Sequence, residues 1–280
     1  PILSAAGVTP IWGSVTDPEV VEKAVEGQDV VIHMAALTNV DEANDRPQSA
    51  LAVNVLGTHH VLEAARKAGC GVIMASSCEV YGPTPTPGVS QDEDAPLRPA
   101  SPYAASKVAA DRLCHAYHQT YGLALVILRP SNVYGPRQRD GLYGGVIPRF
   151  VEAALDGVKL AVRGDGQQRR EWLHITDLVA AYDLALDGLM AGKVNGETIN
   201  VGSGEVISIK TIAERVVDIV KRGEVVHVVP DRPADVAGFR LDSSKAERML
   251  KWTARVRFDE GLRSYIAWRR SPSKTIGGAT

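Results

Sequence analysis

Residues Ser101–Leu128, SPYAASKVAADRLCHAYHQTYGLALVIL, contain a whole helix and the strand that follows it. Ser101 and Pro102 form a helix start, because a Ser side chain can cap free N–H groups and Pro is tolerated where no intrahelical donor is needed. Ala105, Val108, Ala109, Leu113, Ala116 and Tyr117 then recur at helical spacing until Gly122 ends the run. Leu125–Leu128 is apolar without alternation, the pattern of a strand buried on both faces of a parallel sheet.

The same alternation extends upstream. Asp17-Pro18 opens a helix to about Val25, and Val30–His33 is an apolar, β-branched run. Ser49–Ala68 reads as one long helix stopped by Gly69 and Gly71, and Val72–Ala75 repeats the strand pattern. Alternating strands and helices predict an α/β fold with a doubly wound parallel sheet. After about Gly135 the chain loosens into loops rich in Gly, Pro and Arg, with helices near Val146–Leu155, Asp177–Met190 and Ile209–Lys221. This half predicts a smaller C-terminal substrate domain, and Ser271–Thr280 reads as a frayed tail.

Composition narrows the functional classes. The 280 residues are 45% hydrophobic and 23% charged, as in ordinary globular proteins. Lys plus Arg number 31 against 33 Asp plus Glu, and no basic run is interleaved with aromatics, so no nucleic-acid partner is expected. The longest apolar runs are strand-sized and no signal peptide is visible, so no membrane association is expected. Cys70, Cys78 and Cys114 are odd in number and lack metal-type pairing, which points to a reducing cytoplasm and no metal site.

Tyr103 and Lys107 stand four residues apart on the predicted helix, so they share a face. A phenol titrates near ~10, and a lysine ammonium beside it favours the phenolate that can take a hydroxyl proton. Ala75-Ser76-Ser77-Cys78-Glu79-Val80-Tyr81-Gly82 leaves the end of a predicted strand, where doubly wound folds place their ligands. Ser77 is therefore a candidate donor to a substrate oxygen.

Ser77, Tyr103 and Lys107, in this order, resemble the extended short-chain dehydrogenase/reductase family that modifies nucleotide-linked sugars. His33-Met34-Ala35-Ala36, Asn54-Val55-Leu56-Gly57-Thr58 and Arg129-Pro130-Ser131-Asn132-Val133-Tyr134-Gly135-Pro136 resemble three further segments of that family. The resemblance implies an NAD cofactor, with NADP left open, and a UDP- or dTDP-linked sugar as substrate. It implies a cofactor domain at residues 1–134 and about 167–202, and a nucleotide-sugar domain at about 135–166 and 203–280. Cofactor contacts are implied at Ser14, Val15, Ala35, Ala36, Asn54, Ala75, Ser76, Pro130 and Val133, besides Tyr103 and Lys107. Substrate contacts are implied at Thr38, Asn132, Val146, Ile147, Arg149, Val162, Arg170 and Arg232, where an arginine's planar fork suits phosphate oxygens. A homodimer through the helices at Ser49–Ala68 and Ser101–Tyr121 is implied as well.

One family feature is missing from the sequence. No Gly-rich turn joins a strand to a helix: Gly141, Gly144 and Gly145 do not follow a strand, and Gly202-Ser203-Gly204 lies in the other half. By the resemblance, Val8–Trp12 corresponds to the family's third strand, so its first βαβ unit is expected upstream of Pro1. Gly13-Ser14 also stands where the family usually has Gly-Asp, which leaves Val15 to offer backbone contacts.

The pair after Ser77 discriminates among reactions. It resembles Asp-Glu in dTDP-glucose 4,6-dehydratases, Ser-Glu in UDP-glucuronate decarboxylases, and small uncharged residues in 4-epimerases. Here it is Cys78-Glu79, an arrangement similar to that of the UDP-N-acetylglucosamine 5,6-dehydratase of tunicamycin biosynthesis. Once C4 of the sugar is a ketone, the C5 proton becomes acidic, and a carboxylate with an ordinary pKa of about 4.3 can remove it. A thiol with an ordinary pKa of ~8.5 is mostly protonated at neutral pH and can assist the C6 hydroxyl to leave. The expected activity is thus loss of water across C5 and C6, with either a 4-keto-6-deoxy sugar or a 5,6-alkene as product. A 4-epimerase, and a non-catalytic sugar-nucleotide binding protein, are the alternatives.

Overall fold

The computed structural model describes residues 7–83, 89–138, 141, 144–228, 238 and 240–271. They divide into two compact units, each assembled from three stretches of chain. The first comprises Pro1–Ser76, Ser101–Leu128 and Ala185–Thr198; the second comprises Ser77–Ala100, Arg129–Leu184 and Ile199–Thr280.

The first unit is built on a parallel sheet. Its strands are β1 (Val30–His33), β2 (Gly71–Ala75) and β3 (Leu125–Pro130, within this unit as far as Leu128), neighbours in that order. β1 pairs parallel with β2 in the register Val30↔Gly71, and β2 with β3 in the register Val72↔Leu125. Val72, Ile73, Leu125, Val126 and Leu128 are fully buried, as their unalternating apolar pattern requires. Helices α1 (Pro18–Val25), α2 (Gly57–Ala68) and α3 (Pro102–Tyr121) supply Val21, Val25, Val61, Leu62, Ala65, Ala110 and Cys114 to the core with Met74 and Ile127. Asp17 caps α1 through its side chain, and Gly69 and Gly122 end α2 and α3 in left-handed conformations.

Two expectations need correction. Val8–Trp12 is not a strand: these residues carry no ladder hydrogen bonds, and Trp12 is 89% exposed. A strand exists only where a neighbour takes up its N–H and C=O groups, and no described segment does so here. The helix expected over Ser49–Ala68 is interrupted. It runs as an α-turn at Pro47–Leu51, a π-turn at Ala52–Leu56 and then α2. The cause is Asn54, whose side chain accepts from Leu37 N at 2.7 Å and donates to Leu37 O at 3.0 Å and Ser106 Oγ at 2.8 Å. The wider turn lets a helical residue serve partners on two other segments.

The second unit has its own apolar core around Tyr134, Phe150, Leu160, Trp172, Val216 and Phe258. A parallel pair (Asn132–Tyr134 with Arg169–His174) is extended antiparallel by Val206–Ser208. A second parallel pair joins Lys159–Arg163 to Glu224–Val228. The short 3₁₀ turn Cys78–Tyr81, which follows β2 in the chain, ends at Gly82 with φ 66°. A Cβ on Gly82 would lie 1.7 Å from Arg98 O. Gly82→Ala combines a strained φ with a backbone collision, so its expected cost is about 3 kcal/mol. The urea midpoint measures it, and an unchanged midpoint would mean the Arg98 segment yields freely.

Candidate active site

In the first unit, Ser101 Oγ accepts from Ala104 N at 3.1 Å and fixes the start of α3, the helix that carries Tyr103 and Lys107. Tyr103 packs its ring against Ala43 and Ala50, with Leu37 and Val40 beside them. Lys107 is 4% exposed, and its ammonium donates to Ala75 O at the end of β2. Burial lowers the lysine to about 8, against the opposing pull of Cys114 and Asp111. It therefore remains cationic at neutral pH, where it can favour a phenolate on the same helix face.

A web of polar groups supports this face. Thr58 donates to Asn54 O at 2.6 Å, so its oxygen accepts from His33 Nε2 at 3.0 Å. That geometry assigns the Nε2–H tautomer. Burial, with Lys107, holds His33 at about 4, so the ring is neutral and structural. Ser106 accepts from Asn54 and donates to Tyr103 O at 2.7 Å, tying the π-turn to the helix that bears the tyrosine.

The second unit holds Ser77, Cys78 and Glu79. Ser77 Oγ accepts from Glu79 N at 3.2 Å as the cap of the 3₁₀ turn, which leaves the hydroxyl hydrogen to donate elsewhere. Cys78 is 2% exposed, and burial together with the charges of Glu79 and Glu171 pushes its thiol well above the ordinary range. The thiol thus keeps its proton at any physiological pH. Glu79 is half-buried on the same turn. The turn is anchored at its far end, where Tyr81 Oη donates to Asn200 Oδ1 at 2.7 Å and accepts from Arg129 at 2.8 Å. Arg129 also reaches Glu93 O at 3.2 Å.

The other candidates distribute unevenly. Ser14, Val15 and Ala35 line one cavity of about 370 Å³ along β1 and α1, together with Gly13, His33 and Met34. Lined by Val, Ile and Ala with Ser14 and His33 among them, it could take the ring and ribose of a dinucleotide, and among the described residues no Gly-rich turn for a pyrophosphate lines it. Ala36 is half-buried and Thr38 exposed on the segment after β1; Ala75 ends β2 and Ser76 follows it. In the second unit Pro130, Asn132 and Val133 are half-buried, and Asn132 donates to Glu171 O at 3.2 Å. Val146 and Arg149 are half-buried on one helix, whereas Ile147 and Val162 lie wholly inside the apolar core, so a ligand could meet them only at the backbone. Arg170 donates to Arg169 O at 2.8 Å, and Arg232 lies outside the described residues. Among the described residues no cluster of His, Cys, Asp or Glu could hold a metal, and no helix is long and apolar enough to cross a membrane.

Sequence reading missed Asp111. It is fully buried and accepts from Ser76 Oγ at 2.8 Å. An acid one turn after the lysine, on the face that Ala110 and Cys114 bury, was the available signal.

Residues 3–202 match the profile of the NAD dependent epimerase/dehydratase family. The dTDP-glucose 4,6-dehydratase of Streptomyces niveus is 36% identical over 262 residues, spanning 93% of this chain and 75% of that one. The solved dTDP-glucose 4,6-dehydratase of Streptomyces venezuelae, a double mutant with NAD bound, superposes with TM-score 0.84 at 34% identity, over 93% of this chain and 79% of its own. The UDP-glucose 4-epimerase of Thermus thermophilus, solved with NAD, gives 0.86 at 32% identity over 95% and 86%.

Proposed function

This chain belongs to the NAD dependent epimerase/dehydratase family, and we propose from that premise that it is an NAD-dependent dehydratase of a nucleotide-linked sugar. The observation that carries the reading is the Cys78-Glu79 pair, one buried and protonated, the other a carboxylate on the same capped turn. When bound, NAD accepts a hydride from C4 of the sugar and later returns it.

The chain's own residues handle the protons. Ser77 donates to the C4 oxygen and orients it, while Tyr103 takes the C4 hydroxyl proton. Lys107 makes that transfer feasible, since a nearby cation lowers a phenol toward neutrality. With C4 a ketone, Glu79 removes the C5 proton and Cys78 protonates the departing C6 hydroxyl, so that water is lost. Ser14, Val15, Ala35 and Ala36 would hold the adenosine side of the dinucleotide. Ala75, Ser76, Asn54, Pro130 and Val133 would border its nicotinamide side. Asn132, Arg149, Arg170 and Arg232 would hold the diphosphate, with Thr38, Val146 and the backbone of Ile147 and Val162 bordering the sugar nucleotide.

The test is incubation with UDP-N-acetylglucosamine, UDP-glucose, UDP-glucuronate and dTDP-glucose, following products by mass and proton NMR. Loss of the mass of one water is expected from one of them, and the C6 signals distinguish a 6-deoxy-4-ketone from a 5,6-alkene. Unchanged mass with an inverted C4 coupling would replace this reading by a 4-epimerase.

We also propose a homodimer through the helical stretch Ser49–Ala68 and through α3. Leu56, His59, Glu63 and Arg66 recur at helical spacing, and Leu56 and Tyr121 are 55% and 56% exposed. Tyr117 and Tyr121 of α3 meet this stripe through Glu63 and Arg66. Leu56→Glu places a charge on the shared face and is expected to weaken association at least about tenfold. Sedimentation velocity reads the outcome; a wild type that sediments as a monomer overturns the proposal.

A further inference from the structure

The proposed mechanism uses Lys107 without explaining how a lysine removed from water keeps both its charge and its place. Two bonds at the end of β2 supply a geometric answer. Ala75 O accepts from the Lys107 ammonium, and the next residue, Ser76, donates through Oγ to Asp111 Oδ2 at 2.8 Å. The last residue of β2 and the one after it thus grip side chains one turn apart on α3. Asp111 is 0% exposed, and its other oxygen accepts from Arg112. Arg112 pairs with this carboxylate from the solvent side, and Lys107, four residues earlier on the same helix, is a second cation that it attracts.

We infer that Asp111, held by Ser76, is a positioning residue that fixes Lys107 against Ala75 and keeps its ammonium charged. This rests on the reading of Lys107 as the partner of Tyr103. The other groups around the lysine do not supply the anion. His33 on β1, held at about 4, is neutral. Cys114 on α3 is pushed up to about 12 by burial and Asp111, so it is an uncharged thiol where Lys107 titrates. Arg112 is a cation, half in solvent, and opposes a second positive charge. Asp111 is left as the negative partner.

The sign follows directly. Below its folded value of about 8 Lys107 is charged and supports the phenolate, and activity falls as pH rises through that value. Removing the Asp111 charge lowers that value further, so the alkaline limit of activity moves to lower pH.

The experiment is a pH titration of the Lys107 Nζ resonance in ¹⁵N-lysine-labelled protein, assigned with Lys107→Met, alongside the pH profile of kcat. In Asp111→Asn, which preserves shape, the resonance should titrate about one pH unit lower or more. The alkaline limb of kcat should move with it, kcat on the acid side should stay within a few-fold, and Asp111→Glu should restore part of the shift. An unmoved resonance, or equal loss of kcat at every pH with a lowered Tm, overturns the inference. If Asp111→Asn fails to fold, Ser76→Ala carries the test: a smaller shift in the same direction supports the role, and none overturns it. A shifted resonance in a protein that turns over no nucleotide sugar supports the inference and removes the functional reading instead.

Discussion

A Tyr103→Phe variant should fold normally and turn over its nucleotide sugar about 10³-fold more slowly. The ring is buried against Ala43 and Ala50, and Phe preserves that packing, so the midpoint of unfolding should barely move. What is lost is the oxygen that takes the C4 proton. Without it the alkoxide that must expel a hydride does not form, and the first half-reaction stops. Lys107 cannot substitute, because its ammonium is engaged with Ala75 O and carries the proton it would need to have lost. The measurement is single-turnover appearance of reduced nicotinamide absorbance beside steady-state product formation. Both should fall together, and a variant within tenfold of wild type would remove Tyr103 from the proposed chemistry.

Glu79→Gln should separate the two halves of the reaction. Gln keeps the size of the side chain and the cap geometry, since the bond to Ser77 is made by the Glu79 backbone N–H. It cannot accept a proton from C5, and loss of a general base costs about 10²- to 10⁴-fold. Oxidation at C4 does not need this carboxylate. Reduced nicotinamide should therefore still form in a single turnover, while release of water, followed by product mass, should nearly cease. In an epimerase no C5 proton moves, and the same substitution would leave most of the turnover intact. An active Glu79→Gln enzyme would thus transfer the assignment to the epimerase reading and leave Cys78 and Glu79 as supports of the turn.

Much of this was legible in the residues because the relevant signals are local. Unalternating apolar runs such as Leu125–Leu128 mark strands buried on both faces, and Ser101, Gly69 and Gly122 mark helix ends. The Tyr103–Lys107 spacing likewise encodes a shared helix face. What the sequence concealed depends on partners distant in the chain. Asn54 widens its helix turn because Leu37 and Ser106 claim its amide, and nothing in Ala52–Leu56 announces that. Val8–Trp12 corresponds to a strand only by the family resemblance, and a ladder requires a neighbour. Asp111 looks like a solvated helix acid until Ser76, thirty-five residues earlier, is seen to bind it.

Each unit draws on three separate stretches of chain, so the backbone passes from one to the other five times. No single cut frees either as a contiguous fragment. Exchange of one unit for that of a relative by recombination would need matched junctions near Ser76, Ala100, Leu128, Leu184 and Thr198 at once. A scaffold of this kind is poorly suited to acquiring new substrates by module swapping. Its specificity is reached more easily by point changes and loop insertions, and attempts to redesign it should begin with side chains such as Cys78 and not with chimaeras.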